Sequence, residues 1–131
     1  MKALTLWRPW PWAILHGGKR IENRSWAPPA SIVGQVIALH AGKRWDDDGA
    51  LTIALRSRCM PDDEADHPLG IVGVARVSGF VTQSDDPWFV GPCGWTLDSV
   101  VALPQPIPVQ GAQGLWWLSP EIAAVVEAHT R

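Results

Sequence analysis

The stretch Leu4–Trp26, LTLWRPWPWAILHGGKRIENRSW, concentrates the residues of this chain that could do chemistry. It holds four cations (Arg8, Lys19, Arg20, Arg24), one acid (Glu22) and four of the nine tryptophans. Indole faces beside guanidinium groups suit stacking on bases and pairing with phosphates. A lone carboxylate among cations can instead be a catalytic partner or a plain salt bridge. On an extended backbone alternate side chains share a face, so Arg20, Glu22, Arg24 and Trp26 project together. Lys19, Ile21, Asn23 and Ser25 project oppositely, although Lys19 sits close enough to the Gly17-Gly18 turn to bend either way. Glu22 and Arg24 would stand about 7 Å apart along such a strand, within reach of long side chains.

Other candidates carry less chemistry. His40 lies near the end of an apolar run and reads as a satisfied edge histidine, or as a ligand or base. Asp86-Pro87-Trp88-Phe89 through Gly94-Trp95 is an aromatic-lined loop in which Trp95 either packs into the core edge or walls a cleft. Asp46-Asp47-Asp48-Gly49 lacks the spacing and the later bidentate Glu of a calcium loop and reads as a helix cap. Gly17-Gly18-Lys19 is not a phosphate-binding P-loop, because the spacing is wrong and a strand follows it. Cys59 and Cys93 are isolated, so neither a disulfide framework nor a zinc site is indicated. No metal and no organic cofactor is implied.

The elements that must position these groups are short. Ala3–Trp7 alternates as a strand, and Trp10–Leu15 follows two prolines as about two helical turns ended by glycine. Lys19–Trp26 resumes as a strand, and Val33–Ala41 is a buried strand. Asp46–Met60 predicts a helix with Asp47 or Asp48 as N-cap and Leu51, Ala54 and Leu55 on one face. The acidic stretch Asp62–Pro68 looks the least ordered. Leu69–Phe80, Gly94–Leu103 and Leu115–Leu118 read as strands, with the proline-rich Pro104–Pro108 extended at an edge. Ser119-Pro120-Glu121 opens a last helix running to about Ala128. Such a pattern predicts one α+β domain over residues 1–131: a small barrel or curled mixed sheet of five to six strands with two or three short helices.

Composition narrows the classes further. Of 131 residues 47% are apolar and 18% charged, which fits an ordered globule rather than a disordered tail. No apolar run approaches the ~20 residues of a membrane span. Arg8, Pro9 and Pro11 interrupt the N-terminal apolar stretch and argue against a signal peptide. A cytoplasmic monomer is the expectation. The net charge of −2 hides an asymmetry: residues 1–45 sum to +6 and residues 46–131 to −8. A basic third suggests one positive face able to attract a polyanion, unless the halves neutralise each other on folding.

Gly17-x-Lys19-x-x-Glu22-x-Arg24 resembles the signature of the ASCH (activating signal cointegrator homology) family, which has a PUA-like β-barrel. Pro9-Trp10 upstream, Ser25-Trp26 downstream, the VIALHA strand, Gly70–Ala75, Pro87-Trp88, Gly94-Trp95 and Gly114-Leu115-Trp116 follow as landmarks in family order. The resemblance implies a nucleic-acid-binding cleft for RNA or another single strand, lined by Trp10, Lys19, Glu22 and Arg24. His40 and Trp95 join them as candidate ligand contacts. Lys19 and Arg24 would meet phosphates or base edges, and Glu22 a base amino group or Arg24.

The same resemblance implies a second class of function. One ASCH-like group hydrolyses the amide of N4-acetylcytidine with a Lys and a Thr of this motif plus a later Glu that has no assigned counterpart in this sequence, and some ASCH domains are reported as ribonucleases. Here Lys19 matches the Lys while Glu22 occupies the Thr position, so a catalytic pair would make Glu22 a general base and Lys19 an oxyanion stabiliser. A protein-interaction module with all its tryptophans packed inside is the third reading.

Overall fold

The two-residue period of the first strand, β1 (Lys2–Arg8), buries Leu4 and Leu6 and leaves Trp7 exposed. A computed structural model describes residues 1–130 and continues from β1 into helix α1 (Trp10–His16) and strand β2 (Ile21–Arg24). β3 (Val36–Trp45), helix α2 (Asp47–Arg56), β4 (Gly70–Val81), β5 (Cys93–Ile107), β6 (Leu115–Trp117) and helix α3 (Pro120–His129) follow. The chain is α+β, with three helices around one six-stranded mixed sheet of order β2-β5-β4-β3-β1-β6. Only the β1–β3 pair is parallel, and its register sets Thr5 beside His40.

The apolar side chains of the strands fill both faces. Leu4, Leu6, Ile14, Ile37, Leu39, Val77, Trp95 and Leu97 form the inner core. α3 covers the other face, where Val126 and Ala123 meet Ala38, Ile71 and Val74. α1 and α2 pack through Ala13, Ile53 and Met60 with Trp10 and Trp12 alongside. Among the described residues no helix is long and apolar enough to cross a membrane.

Several expectations shift for local physical reasons. The sheet does not close into a barrel: β2 and β6 are its two edges. Curling still brings β2 to β1, because the Thr5 carbonyl accepts from Arg24 of β2 at 3.0 Å, while Thr5 N–H donates to Gly114 O, just before β6, at 3.2 Å. A guanidinium thus stands where a ladder N–H would be. The third strand begins at Val36 rather than Val33, since Gly34 turns at φ +88° with its N–H on Val77 O. It runs on through Lys43, Arg44 and Trp45.

The cap of α2 is Asp46, not Asp47 or Asp48, because its carboxylate accepts from Gly49 N–H and also from Trp10 Nε1. The Trp10 ring lies so close to Gly49 that a Cβ there would be 2.7 Å from it. That contact turns Gly49 and Ile53 inward and leaves Leu51 and Leu55 exposed. The acidic segment is ordered too, with a 3-10 turn over Glu64–Asp66. Arg8 holds it: its five N–H groups meet the carbonyls of Gly42, Lys43, Glu64 and His67 and the Glu64 carboxylate.

On the β4–β5 ladder Arg76 faces Asp98 and donates two parallel bonds, of 2.8 and 2.7 Å, to its carboxylate. These hydrogen bonds hold the Asp98 carboxyl below the usual carboxylate range. A pKa lowered by folding stabilises the fold above the unfolded value and stops doing so as pH falls through the folded one. Asp98→Asn should therefore lower the melting temperature at neutral pH, and the difference should vanish in acid. Parallel thermal melts across that range check it.

Candidate nucleic-acid interface

α1 ends where Gly17 N–H donates to Ala13 O at 2.9 Å, and Gly18 at φ +75° reverses the chain. Lys19 N–H then returns to the same carbonyl at 3.1 Å, which aims its side chain inward. Lys19 is 1% exposed. Its Nζ donates to the Ile21 carbonyl and to Glu22 Oε1 at 3.2 Å, and it stands 5.2 Å from the Trp10 ring centre. The other Glu22 oxygen accepts from Arg24 Nε at 3.0 Å, and Arg24 Nη2 reaches Thr5 O. The motif residues Lys19, Glu22 and Arg24 are thus one chain of ion pairs, with Trp10 against its buried end.

Arg20 does not join them. β2 begins only at Ile21, so the strand alternation never reaches Arg20, which is exposed and donates to Ile14 O and Lys19 O. Trp95 is 0% exposed, at the centre of the core. Its Nε1 donates to Trp26 O at 2.9 Å, and the two indoles meet edge to face at 4.9 Å.

Beyond Thr5 lies a cleft of about 910 Å³. Thr5 and His40 form its floor, Trp7, Lys43 and Arg44 one side, and the segment Pro108–Gln113 another. Among the motif-based candidates only His40 lines it; Trp10, Lys19, Glu22, Arg24 and Trp95 do not. The Val109 carbonyl can only accept, so the hydrogen-bond network assigns a proton to His40 Nε2, 2.9 Å away. In the neutral ring Nδ1 accepts from the Thr5 hydroxyl at 3.1 Å, and that oxygen accepts in turn from Trp116 Nε1 at 2.9 Å. The floor is a closed set of hydrogen bonds.

The rim is different. Trp7 is 47% exposed, and the Arg44 guanidinium sits 4.9 Å from its ring centre with Lys43 next in sequence. Sequence reasoning passed over these three residues. A signal was present in Lys43-Arg44-Trp45, a basic pair beside an aromatic at the end of a strand. A smaller cavity of about 200 Å³ lies between α1 and the Pro104–Pro106 end of β5, with Arg8, Trp12 and His67 in its wall.

The ASCH domain family matches residues 4–88, most of the chain, and the protein belongs to that family, whose domains are PUA-like and generally associated with RNA binding. No curated protein matches the sequence.

Glu22 is the shared counter-ion of two cations inside the fold. Removing one partner of a buried ion pair costs about 3–5 kcal/mol, because the charge left behind has lost its counter-ion. Glu22→Ala should lose stability on that scale in urea titrations, while Arg20→Ala, at an exposed site, should change it little.

Proposed function

We propose that the protein binds single-stranded RNA in the cleft beside Thr5, with Lys43 and Arg44 on phosphates and a base stacked on Trp7. The observation that carries this reading is the exposed Trp7 ring paired with Arg44 on the rim of a cleft of about 910 Å³. That space suits a ligand of nucleotide size or larger. An indole offers any unpaired base a stacking surface worth about 1–3 kcal/mol, which a base inside a duplex cannot use. The general association of ASCH domains with RNA supports the same class of ligand.

In this reading the motif residues work one layer behind the ligand. Lys19, Glu22 and Arg24 carry a net charge of +1 between them and fix the Thr5 carbonyl, hence the cleft floor. Trp10 packs over the Lys19 ammonium, Trp95 supports β2 from the core, and His40 shapes the floor. Each oxygen of Glu22 accepts from a cation, and the buried carboxylate does not line the cleft, so it is not placed to take a proton from a ligand bound there.

Fluorescence anisotropy with a labelled single-stranded RNA, followed over a salt series, tests the proposal. Each phosphate contact on a single strand contributes about −0.7 to the slope of log K against log salt. The double variant Lys43→Ala/Arg44→Ala should make that slope shallower by about 1.4. Trp7→Ala should weaken binding by about 1–3 kcal/mol with the slope kept. Absence of salt-dependent binding at micromolar protein overturns the reading. Release of acetate from N4-acetylcytidine, abolished by Lys19→Ala, would move the assignment to the amidohydrolase class.

A further inference from the structure

We infer that the cavity between α1 and the Pro104–Pro106 end of β5 is a second binding site, which takes a small neutral aromatic ring bearing one N–H or O–H donor, such as an indole. The site does not depend on the RNA-binding reading above. Ala41 of β3 is the only residue common to its wall and that of the cleft.

The wall is apolar by composition. Five prolines line it: Pro9 and Pro11 at the start of α1, Pro68 ahead of β4, and Pro104 and Pro106 of β5. Proline carries no backbone N–H to offer. Leu15, Val72 and Leu103 add aliphatic surface, and Trp12 an indole. The volume, about 200 Å³, exceeds the roughly 150 Å³ of an apolar cavity that admits benzene. Water held there would need several polar partners, which proline, leucine and valine side chains do not supply.

Two polar side chains of the wall are buried, Arg8 and His67. Arg8 has no donor left for a ligand. Its N–H groups all go to protein carbonyls and to the Glu64 carboxylate, so an anion finds no open partner. His67 is different. It is 5% exposed, with its ring set against Trp45 at 5.0 Å between centres. The Pro61 carbonyl can only accept, so the hydrogen-bond network assigns the ring proton to His67 Nε2, 2.8 Å away. Nδ1 of the neutral ring is then an acceptor, and it has no protein partner. Every fully buried side-chain nitrogen and oxygen among the described residues has one, so Nδ1 reaches open space. Of the cleft and the smaller cavity, His67 lines only the cavity.

A fitting ligand therefore brings a flat apolar body for the prolines and Trp12, and one donor for His67 Nδ1. A phosphate meets no free cation there. A nucleobase carries polar groups on several edges and would leave most of them unpaired against this wall.

Backbone amide shifts in proton–nitrogen correlation spectra, titrated with indole and with benzothiophene, test the assignment. Benzothiophene has the shape of indole without the N–H. Indole should shift the amides of Trp12, Val72 and Leu103 saturably and leave those of Lys43 and Arg44 in place. It should bind about tenfold more tightly than benzothiophene, which leaves the buried acceptor unpaired. His67→Phe, which keeps a ring against Trp45, should erase that preference. Val72→Phe should fill the cavity and abolish the shifts. Ala102→Phe should do so from an exposed position, and it decides the matter if the first variant does not fold. N-acetyltryptophanamide in place of indole separates a peptide side chain from a free ring: tighter binding of one or the other names the source and upholds the site. No saturable shift at millimolar indole, equal affinity for benzothiophene, or binding that survives in Ala102→Phe overturns the inference and leaves the RNA-binding reading untouched.

Discussion

One carboxylate, that of Glu22, holds together the parts of the molecule that the sheet alone does not join. It takes the Lys19 ammonium on one oxygen and the Arg24 guanidinium on the other, and Arg24 passes the connection to the Thr5 carbonyl. Burying charge is costly, and the cost is tolerable only when each donor and acceptor is met. Here it is met: no buried side-chain nitrogen or oxygen among the described residues lacks a hydrogen-bond partner. The result ties β2, at one edge of the sheet, to β1, near the other. An open sheet is thereby curled and closed by a side chain.

Thr5 is where this closure meets the cleft. Its backbone accepts from Arg24 and donates to Gly114, while its hydroxyl joins His40 and Trp116. A displacement of β2 would therefore reach the cleft floor through a single residue. Parallel pairing of β1 with β3 is what sets Thr5 opposite His40 and makes that hydroxyl–imidazole contact possible.

Five of the seven cations of the N-terminal third divide into two groups. Arg8, Lys19 and Arg24 turn inward, toward carbonyls and carboxylates of the protein itself. Lys43 and Arg44 remain at the surface beside the exposed Trp7. The tryptophans divide likewise: Trp95 fills the core, Trp10 covers an ammonium and holds the Asp46 cap of α2, and Trp116 supports the cleft floor. Only part of the basic, aromatic character of this region is therefore offered to a ligand.

Local signals in the amino-acid order were sufficient for much of this. Alternation marked β1 and the first part of β5, apolar runs marked β4 and β6, the proline–glycine bracket marked α1, and Ser119-Pro120 marked the start of α3, because each depends on neighbours in the chain. The Gly17–Arg24 spacing identified the family for the same reason. What the order could not decide was which charges would be buried. Lys19, Arg20 and Arg24 look alike as letters, yet the glycine turn sends Lys19 inward, the late start of β2 leaves Arg20 in solvent, and an edge carbonyl from a distant strand captures Arg24. Nor could it place Trp7, Lys43, Arg44 and the segment Pro108–Gln113 around one cavity, since they come from three separate parts of the chain. Pairing across the sheet brings them together, and long-range pairing depends on the packing of the whole core rather than on any window of sequence.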